Sequence, residues 1–105
     1  MNKIELRKLD LAISEAKNYA LKTIEGELEN GSCNFDRVVI KVGRTMQTNI
    51  DEMMNRCYKD YRCKNYLHIS TPNVGQANRN TKCAEAMMKH LEALGYEGYI
   101  HYQLD

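Results

Sequence analysis

The segment VVIKVGRT, residues 38–45, begins with the pattern of a buried strand. Val38, Ile40 and Val42 alternate with residues that point to the opposite face, and β-branched residues favour strands. Helical patterns precede and follow this segment in the chain. The strand therefore predicts a domain in which helices pack on a small sheet.

The second half of the same segment is polar. Lys41 faces away from Val42, and Gly43 permits a left-handed conformation or a close approach of the backbone. Arg44 and Thr45 supply hydrogen-bond donors that suit a phosphate. Taken alone, the pattern is also typical of a half-exposed strand that runs into a turn.

Two helices are predicted around this strand. A long amphipathic helix is expected over residues 3–29, with Gly31 as its left-handed end. The residues expected on its buried face are Leu6, Leu9, Ile13, Ala16, Ala20, Ile24 and Leu28. A second helix is expected to begin in TNIDE, with Thr48 or Asn49 as its N-cap, and its apolar stripe continues to Tyr61.

Strand and helix patterns alternate through the rest of the chain. NYLHIS is predicted as a short strand, KCAEAMMKHLEAL as a third helix that Gly95 ends, and YEGYIHYQL as a final strand. The order α-β-α-β-α-β predicts a single small α+β domain, with a three-stranded sheet packed against helices. In this interpretation the long N-terminal helix occupies residues 1–30 and the α+β core occupies residues 34–105.

The size and charge of the chain restrict its function. With 105 residues and a net charge of +1, it has the balance of one globular domain and is less basic than a dedicated nucleic-acid-binding protein, although cations can gather on one face. No apolar run reaches the length of a membrane span, and the charged start MNKIELRKLD is unlike a signal peptide. A cytoplasmic protein without a membrane partner is therefore expected.

The cysteines show no C-x-x-C spacing. They are therefore expected to be reduced and structural rather than zinc ligands. The cysteines are Cys33, Cys57, Cys63 and Cys83.

Two later positions add to the polar end of the first strand, namely Arg56 in MMNRCY and Glu85 in CAEAMMKHL. Together with IKVGRT they resemble the GIY-YIG nuclease superfamily, in particular the phage-type branch whose second motif reads K-[IV]-G-R-T. The resemblance covers residues 38–94. It implies a metal-dependent endonuclease that cleaves phosphodiester bonds in DNA or another nucleic acid.

The resemblance also implies roles for these residues. Glu85 would hold one Mg²⁺ or Mn²⁺ ion that polarises the scissile phosphate, while Arg56 would neutralise charge in the transition state. The residues that would bind phosphate are Lys41, Gly43, Arg44 and Thr45.

The first motif of the family, G-I-Y, has no counterpart before VVIKVGRT. The sequence GYIHY occurs instead in the last predicted strand, at residues 98–102. If that strand lies beside the first one, Tyr99 takes the place of the catalytic tyrosine that helps to activate water, with Tyr102 as the alternative.

The same residues have simpler interpretations. Arg56 lies off the apolar stripe of its helix, which is typical of a solvated arginine. Glu85 with Lys82 and Lys89 forms an ordinary charge pattern on a helix surface.

Other functions remain open. The HIS sequence at residues 68–70 resembles the H-x-S signature of two-histidine phosphoesterases, but His101 lacks the matching hydroxyl two residues later. A non-catalytic domain that binds a protein or a nucleotide-like ligand is the alternative to a nuclease, as in a phage-encoded inhibitor or a degenerate nuclease. The seven tyrosines suit such a surface, although they are more typical of a core that is completed with their hydroxyl groups at its rim. The long amphipathic helix leaves room for a homodimer.

Overall fold

The structure is a computed structural model that describes four stretches of the chain: residues 1–26, 34–54, 57–72 and 78–103. Within these ranges the chain forms three helices and four strands. Their bounds are α1 Lys3–Thr23, β1 Arg37–Lys41, α2 Gln47–Met53, β2 Cys57–Lys59, β3 Tyr66–Ile69, α3 Asn78–Ala93 and β4 Gly98–His101.

The strands form one antiparallel sheet in the order β2-β3-β1-β4. The α+β class is confirmed, whereas the prediction of three strands was wrong, because four are present. β1 lies between β3 and β4, so that Val39 is opposite His68 on one side and Tyr99 on the other. The last strand therefore does lie beside the first.

The additional strand, β2, occupies part of the sequence that was predicted to continue the second helix. α2 ends at Met53, and Met54 is extended, with φ −119° and ψ 150°. Pairing with β3 overrides the helical spacing of the apolar residues, since Cys57 turns toward the core while Tyr58 turns away. α2 begins at Gln47, with Met46 rather than Thr48 or Asn49 at the N-cap position.

One face of the sheet carries the core. Val38, Ile40 and Val42 are buried there as predicted. α3 packs against β1, and α1, which packs on α3, contributes to the same core. α1 begins with a capping box between Asn2 and Glu5 and ends at Thr23, earlier than predicted. Its expected buried residues are confirmed up to Ile24, while Leu28 and Gly31 lie outside the described residues.

The opposite face of the sheet carries no helix among the described residues. The alternation of each strand directs one set of side chains to this face. They are Arg37, Val39, Lys41, Tyr58, Tyr66, His68, Tyr99 and His101. None of the helices in the described ranges combines the length and apolar character that a bilayer crossing needs.

Candidate functional site

A cleft of about 620 Å³ lies on the helix-free face of the sheet. We call it the sheet-face cleft. Its lining consists of Arg37, the segment Tyr58–Cys63, Tyr66, His68, Tyr99, His101 and Gln103. The volume is in the range that binds a small organic ligand or a short piece of a polymer.

Aromatic rings form most of the floor of the cleft. The ring of Tyr58 stacks on that of His68, with 5.0 Å between centroids and 16° between planes. Tyr66 and Tyr99 contact each other at 5.8 Å between centroids. Val39 lies between His68 and Tyr99 in the register and is fully buried (0% exposed), although no described helix covers this face. Its neighbours on the sheet face therefore exclude water from the strand beneath them.

Tyr58 and Tyr99 remain accessible at the two edges of this floor, with 48% and 45% of their surface exposed. The register joins them in one row across all four strands: Tyr58 is opposite His68, His68 is opposite Val39, and Val39 is opposite Tyr99. Adjacent strands are about 4.8 Å apart, so the row is about 14 Å long.

His68 is the centre of a hydrogen-bonded chain below the rings. The Nε–H of Arg37 donates to Nδ1 of His68 at 2.7 Å, and Nε2 of His68 lies 2.6 Å from Oδ2 of Asp60. Because Nδ1 accepts a hydrogen bond, the proton of the neutral ring is on Nε2 and is donated to Asp60. His68 is only 4% exposed, so this tautomer is fixed by its two partners.

Asp60 is stabilised as a carboxylate by this arrangement. The hydrogen bond from His68, together with those from the backbone N–H groups of Arg62 and Cys63, lowers the pKa of Asp60 to about 2. Asp60 is the only carboxylate that lines the described part of the cleft, and its charge is used in these internal bonds.

The arginines of the cleft are held by uncharged acceptors. Nη1 of Arg37 donates to the carbonyl oxygen of Phe35 at 3.0 Å and to Oε1 of Gln103 at 2.8 Å. Arg62 donates to the hydroxyl oxygen of Tyr61 at 2.7 Å, and its guanidinium lies 5.2 Å from the centre of that ring. The cleft therefore gathers positive charge on a chain that is close to neutral.

The predicted phosphate-binding loop is used differently. Oxygen atoms of Val42, Arg44 and Thr45 accept hydrogen bonds from the α-amino group of Met1, at 3.2, 3.1 and 2.8 Å. Oxygen acceptors that converge in this way surround a cation rather than a phosphate.

Lys41 and Gly43 complete the predicted loop. Gly43 has the predicted left-handed conformation, with φ 69°. Lys41 is exposed, 3.8 Å from Glu97. Neither residue lines the sheet-face cleft.

The other residues singled out from the sequence do not share one cleft. Tyr99 lines the sheet-face cleft, whereas Glu85 is exposed on α3 and lines a groove beside Tyr19 of α1. Since α3 packs on the core face of the sheet, Glu85 and Tyr99 lie on opposite sides of it. Arg56 lies outside the described residues.

The surroundings of Glu85 give little support to the metal site that the resemblance implies. Lys82 and Lys89 line the same groove, and among the described residues no second carboxylate lines it. In the part of the chain that the structure describes, no group of three or more His, Cys, Asp or Glu side chains is placed to hold an ion. We therefore derive no step through a metal, and the magnesium or manganese site stays a prediction.

The described cysteines, Cys57, Cys63 and Cys83, are not in disulfide bonds. Burial raises the pKa of Cys57 and of Cys83 to about 11. These two thiols are therefore protonated at neutral pH and serve as small apolar groups.

The hydrogen-bonded chain of Arg37, His68 and Asp60 was not predicted from the sequence. His68 and His101 were noted for the H-x-S pattern, and the structure brings their rings to 6.0 Å between centroids. Both ring nitrogens of His68 are already bonded, so the free base that a phosphoesterase needs is not available there. The position of Arg37 in the strand, two residues before Val39 and on the same face, was the sequence feature that could have identified it as a residue of this site.

Comparisons with models of protein families, with curated proteins and with solved structures found no match to this chain. We therefore infer a function from the geometry of the cleft.

Proposed function

We propose that this domain binds single-stranded nucleic acid in the sheet-face cleft, with unpaired bases stacked on its tyrosine rings. The observation that carries the proposal is the row from Tyr58 to Tyr99, with one half-exposed ring at each edge of the sheet. Base–aromatic stacking contributes about 1–3 kcal/mol per base and tolerates any base, because every base has a π-face. A row about 14 Å long has room for more than one base.

The charges of the cleft support a polyanionic ligand. Arg37 and Arg62 present guanidinium groups beside the rings, and uncharged acceptors hold both of them. Backbone phosphates supply most of the affinity of proteins for nucleic acids. The low net charge of the chain is compatible with this function, since Arg37, Lys59 and Arg62 line the cleft together with the rings.

A single strand fits this surface better than a duplex. Bases within a duplex are stacked on each other and offer no free face to a tyrosine. A protein partner is the competing class, because tyrosine and arginine are also enriched at protein interfaces. The accessible tyrosine rings at both edges of the sheet, with arginines beside them, favour the nucleic acid.

Metal-dependent cleavage, which the resemblance to GIY-YIG nucleases implies, would be a separate activity. Its support is the position of β4 beside β1, which brings Tyr99 next to the strand of the IKVGRT motif. The position of Glu85 on the core side of the sheet speaks against a shared site. Binding is therefore the function that we propose.

Fluorescence anisotropy with short labelled RNA and DNA strands tests the proposal. We expect binding of the single strands that weakens with salt, and weaker binding of the same sequences as duplexes. Tyr99→Ala should lower the affinity about tenfold. Tyr19→Ala is the matched control, because Tyr19 is similarly exposed but lies on α1, on the other side of the sheet.

Three results would contradict the proposal. The first is equal binding of duplex and single strand, and the second is an equal loss of affinity in the Tyr19 and Tyr99 variants. The third is the absence of binding even at low salt, which would turn the assignment toward a protein partner.

A further inference from the structure

We propose that Arg37 is the phosphate-binding residue of the sheet-face cleft, so that the ligand is recognised as a nucleotide unit rather than as a bare base. This inference rests on the proposed function and assigns one of its contacts. It moves phosphate recognition away from the residues that the sequence suggested, Lys41, Gly43, Arg44 and Thr45.

The guanidinium of Arg37 is oriented before any ligand binds. Three acceptors on different segments fix it: Nδ1 of His68 on β3, the carbonyl oxygen of Phe35 before β1, and Oε1 of Gln103 after β4. An arginine side chain that is free in solution loses rotamer freedom when it binds an anion. Arg37 has already lost this freedom in the folded protein, which favours binding.

The charge of Arg37 is not neutralised by its partners. All three acceptors are uncharged, since His68 accepts through the bare nitrogen of its neutral ring. Among the described residues no carboxylate lies within ion-pair distance of Arg37, because the imidazole separates it from Asp60. A fixed and uncompensated guanidinium is the group that proteins use for phosphate recognition.

One nitrogen of the guanidinium, Nη2, remains available with its two N–H groups. The hydrogen bonds to described residues use Nε and Nη1, and none of them uses Nη2. Arg37 lines the cleft, and His101, its partner in the register, lines it beside Arg37. A phosphate at this position would lie next to a base stacked on the rings.

The predicted loop, in contrast, begins with Lys41 at the other end of β1. There the oxygens of Val42, Arg44 and Thr45 accept hydrogen bonds from the Met1 amino group, and Lys41 is close to Glu97. An anion would meet lone pairs at this end of the strand and the unused Nη2 donors at Arg37. The structure therefore favours Arg37.

The test combines nucleotide binding with NMR on the full chain. Wild type, Arg37→Gln, Arg37→Lys and Lys41→Gln are titrated with a nucleoside 5′-monophosphate, the matching nucleoside and inorganic pyrophosphate. The control is Arg7→Gln, the same substitution on the exposed side of α1. Circular dichroism and the amide spectrum verify that each variant is folded.

We expect wild type and the Arg7 variant to bind the monophosphate about tenfold more tightly than the nucleoside. Arg37→Gln should abolish this preference and reduce the salt dependence of oligonucleotide binding by roughly 0.7 in the log–log slope. Arg37→Lys should retain only part of the preference for the monophosphate, because an ammonium does not fit the three acceptors of the guanidinium. In wild type, pyrophosphate should shift the Nε–H signal of Arg37.

The outcomes separate the two proposals. If oligonucleotides bind through the tyrosines but Arg37→Gln keeps the preference for the monophosphate, the inference is wrong and the proposed function stands. If Lys41→Gln abolishes the preference, phosphate binding returns to the predicted loop. If no oligonucleotide binds while pyrophosphate still shifts Arg37, the arginine site stands and the proposed function falls; if pyrophosphate does not shift it either, both fall.

Discussion

The ring of Tyr58 on β2 is stacked on the ring of His68, its partner on β3, with 5.0 Å between centroids and 16° between planes. One side of the tyrosine ring is therefore used for a contact within the protein. With 48% of its surface exposed, Tyr58 still presents area to a ligand. Through this stack the buried ring of His68 contacts a side chain that is accessible at the surface. The hydrogen-bonded chain of His68 is thereby connected to the floor of the cleft.

The first prediction concerns this stack. Tyr58→Ala should weaken binding of single-stranded oligonucleotides about tenfold, within the ~1–3 kcal/mol per stacked base that aromatic side chains supply. Tyr58→Phe should retain most of the affinity, because stacking uses the ring rather than the hydroxyl. Anisotropy titrations of the two variants measure the difference. A loss of equal size in the phenylalanine variant would show that the hydroxyl, and not the ring, makes the contact.

The second prediction concerns acid stability. The pKa of Asp60 is lowered from 3.8 to about 2 in the folded protein, mainly by the hydrogen bond from His68. A lowered pKa contributes stability above the unfolded value, and this contribution is lost as the pH falls through the folded value. Asp60→Asn should therefore be less stable than wild type above about pH 4, and the difference should shrink as the pH approaches 2.

Urea unfolding across this pH range measures the difference in the free energy of unfolding. Asp51→Asn is the control, since Asp51 is exposed on α2 and, among the described residues, its side chain accepts a hydrogen bond only from Gln47 of the same helix. A difference between wild type and Asp60→Asn that does not change with pH would mean that the carboxylate charge of Asp60 plays no part in stability.

The third prediction concerns the contact of β4 with β1. A Cβ atom at Gly98 would lie 2.1 Å from the carbonyl oxygen of Val39 and 2.9 Å from Cδ1 of Ile40. Gly98→Ala must therefore separate the two strands, and we expect the free energy of unfolding to fall by about 3 kcal/mol. Gly43→Ala is the comparison, because its Cβ would meet no atom within 4 Å and only the positive φ of 69° opposes it. That strain costs about 1 kcal/mol, so the Gly98 variant should have the lower urea midpoint.

If Gly98→Ala were as stable as Gly43→Ala, the pairing of β1 with β4 would have to be looser than described. In that case Tyr99 and Arg37 would not share one cleft.

The fourth prediction separates binding from cleavage. Glu85 lies on the core side of the sheet, away from Tyr99, so Glu85→Ala should leave oligonucleotide affinity unchanged. Incubation of plasmid DNA with magnesium or manganese, against EDTA, measures the cleavage that the resemblance implies. Metal-dependent cleavage that disappears in Glu85→Ala would support the nuclease interpretation and place its chemistry outside the cleft described above.

The elements with local signals were predicted well. The alternation of Val38, Ile40 and Val42 identified β1, and Gly95 ends α3 with φ 96°, as predicted. β2 was missed because it has three residues and its apolar spacing fits a helix as well as a strand. Only its partner β3 decides between the two, and that information is not local.

The site was harder to predict than the fold, for the same reason. Arg37 and His68 are 31 positions apart, and Arg37 and Gln103 are 66 positions apart. A strand arginine and a strand histidine have no distinctive pattern by themselves. Their importance comes from the register of β1 with β3 and β4, which no short motif encodes.

That register also links ligand binding to folding. The β2–β3 hairpin joins two strands that are close in the sequence. β4, in contrast, pairs with β1 across a long segment of the chain, and closing so long a loop is slow and costs entropy. The cleft does not exist until β4 has docked, because Tyr99, His101 and the Gln103 partner of Arg37 all arrive with it. A ligand in the cleft binds only the state in which β4 is paired with β1. By mass action it therefore raises the midpoint of thermal unfolding and stabilises the pairing of β4.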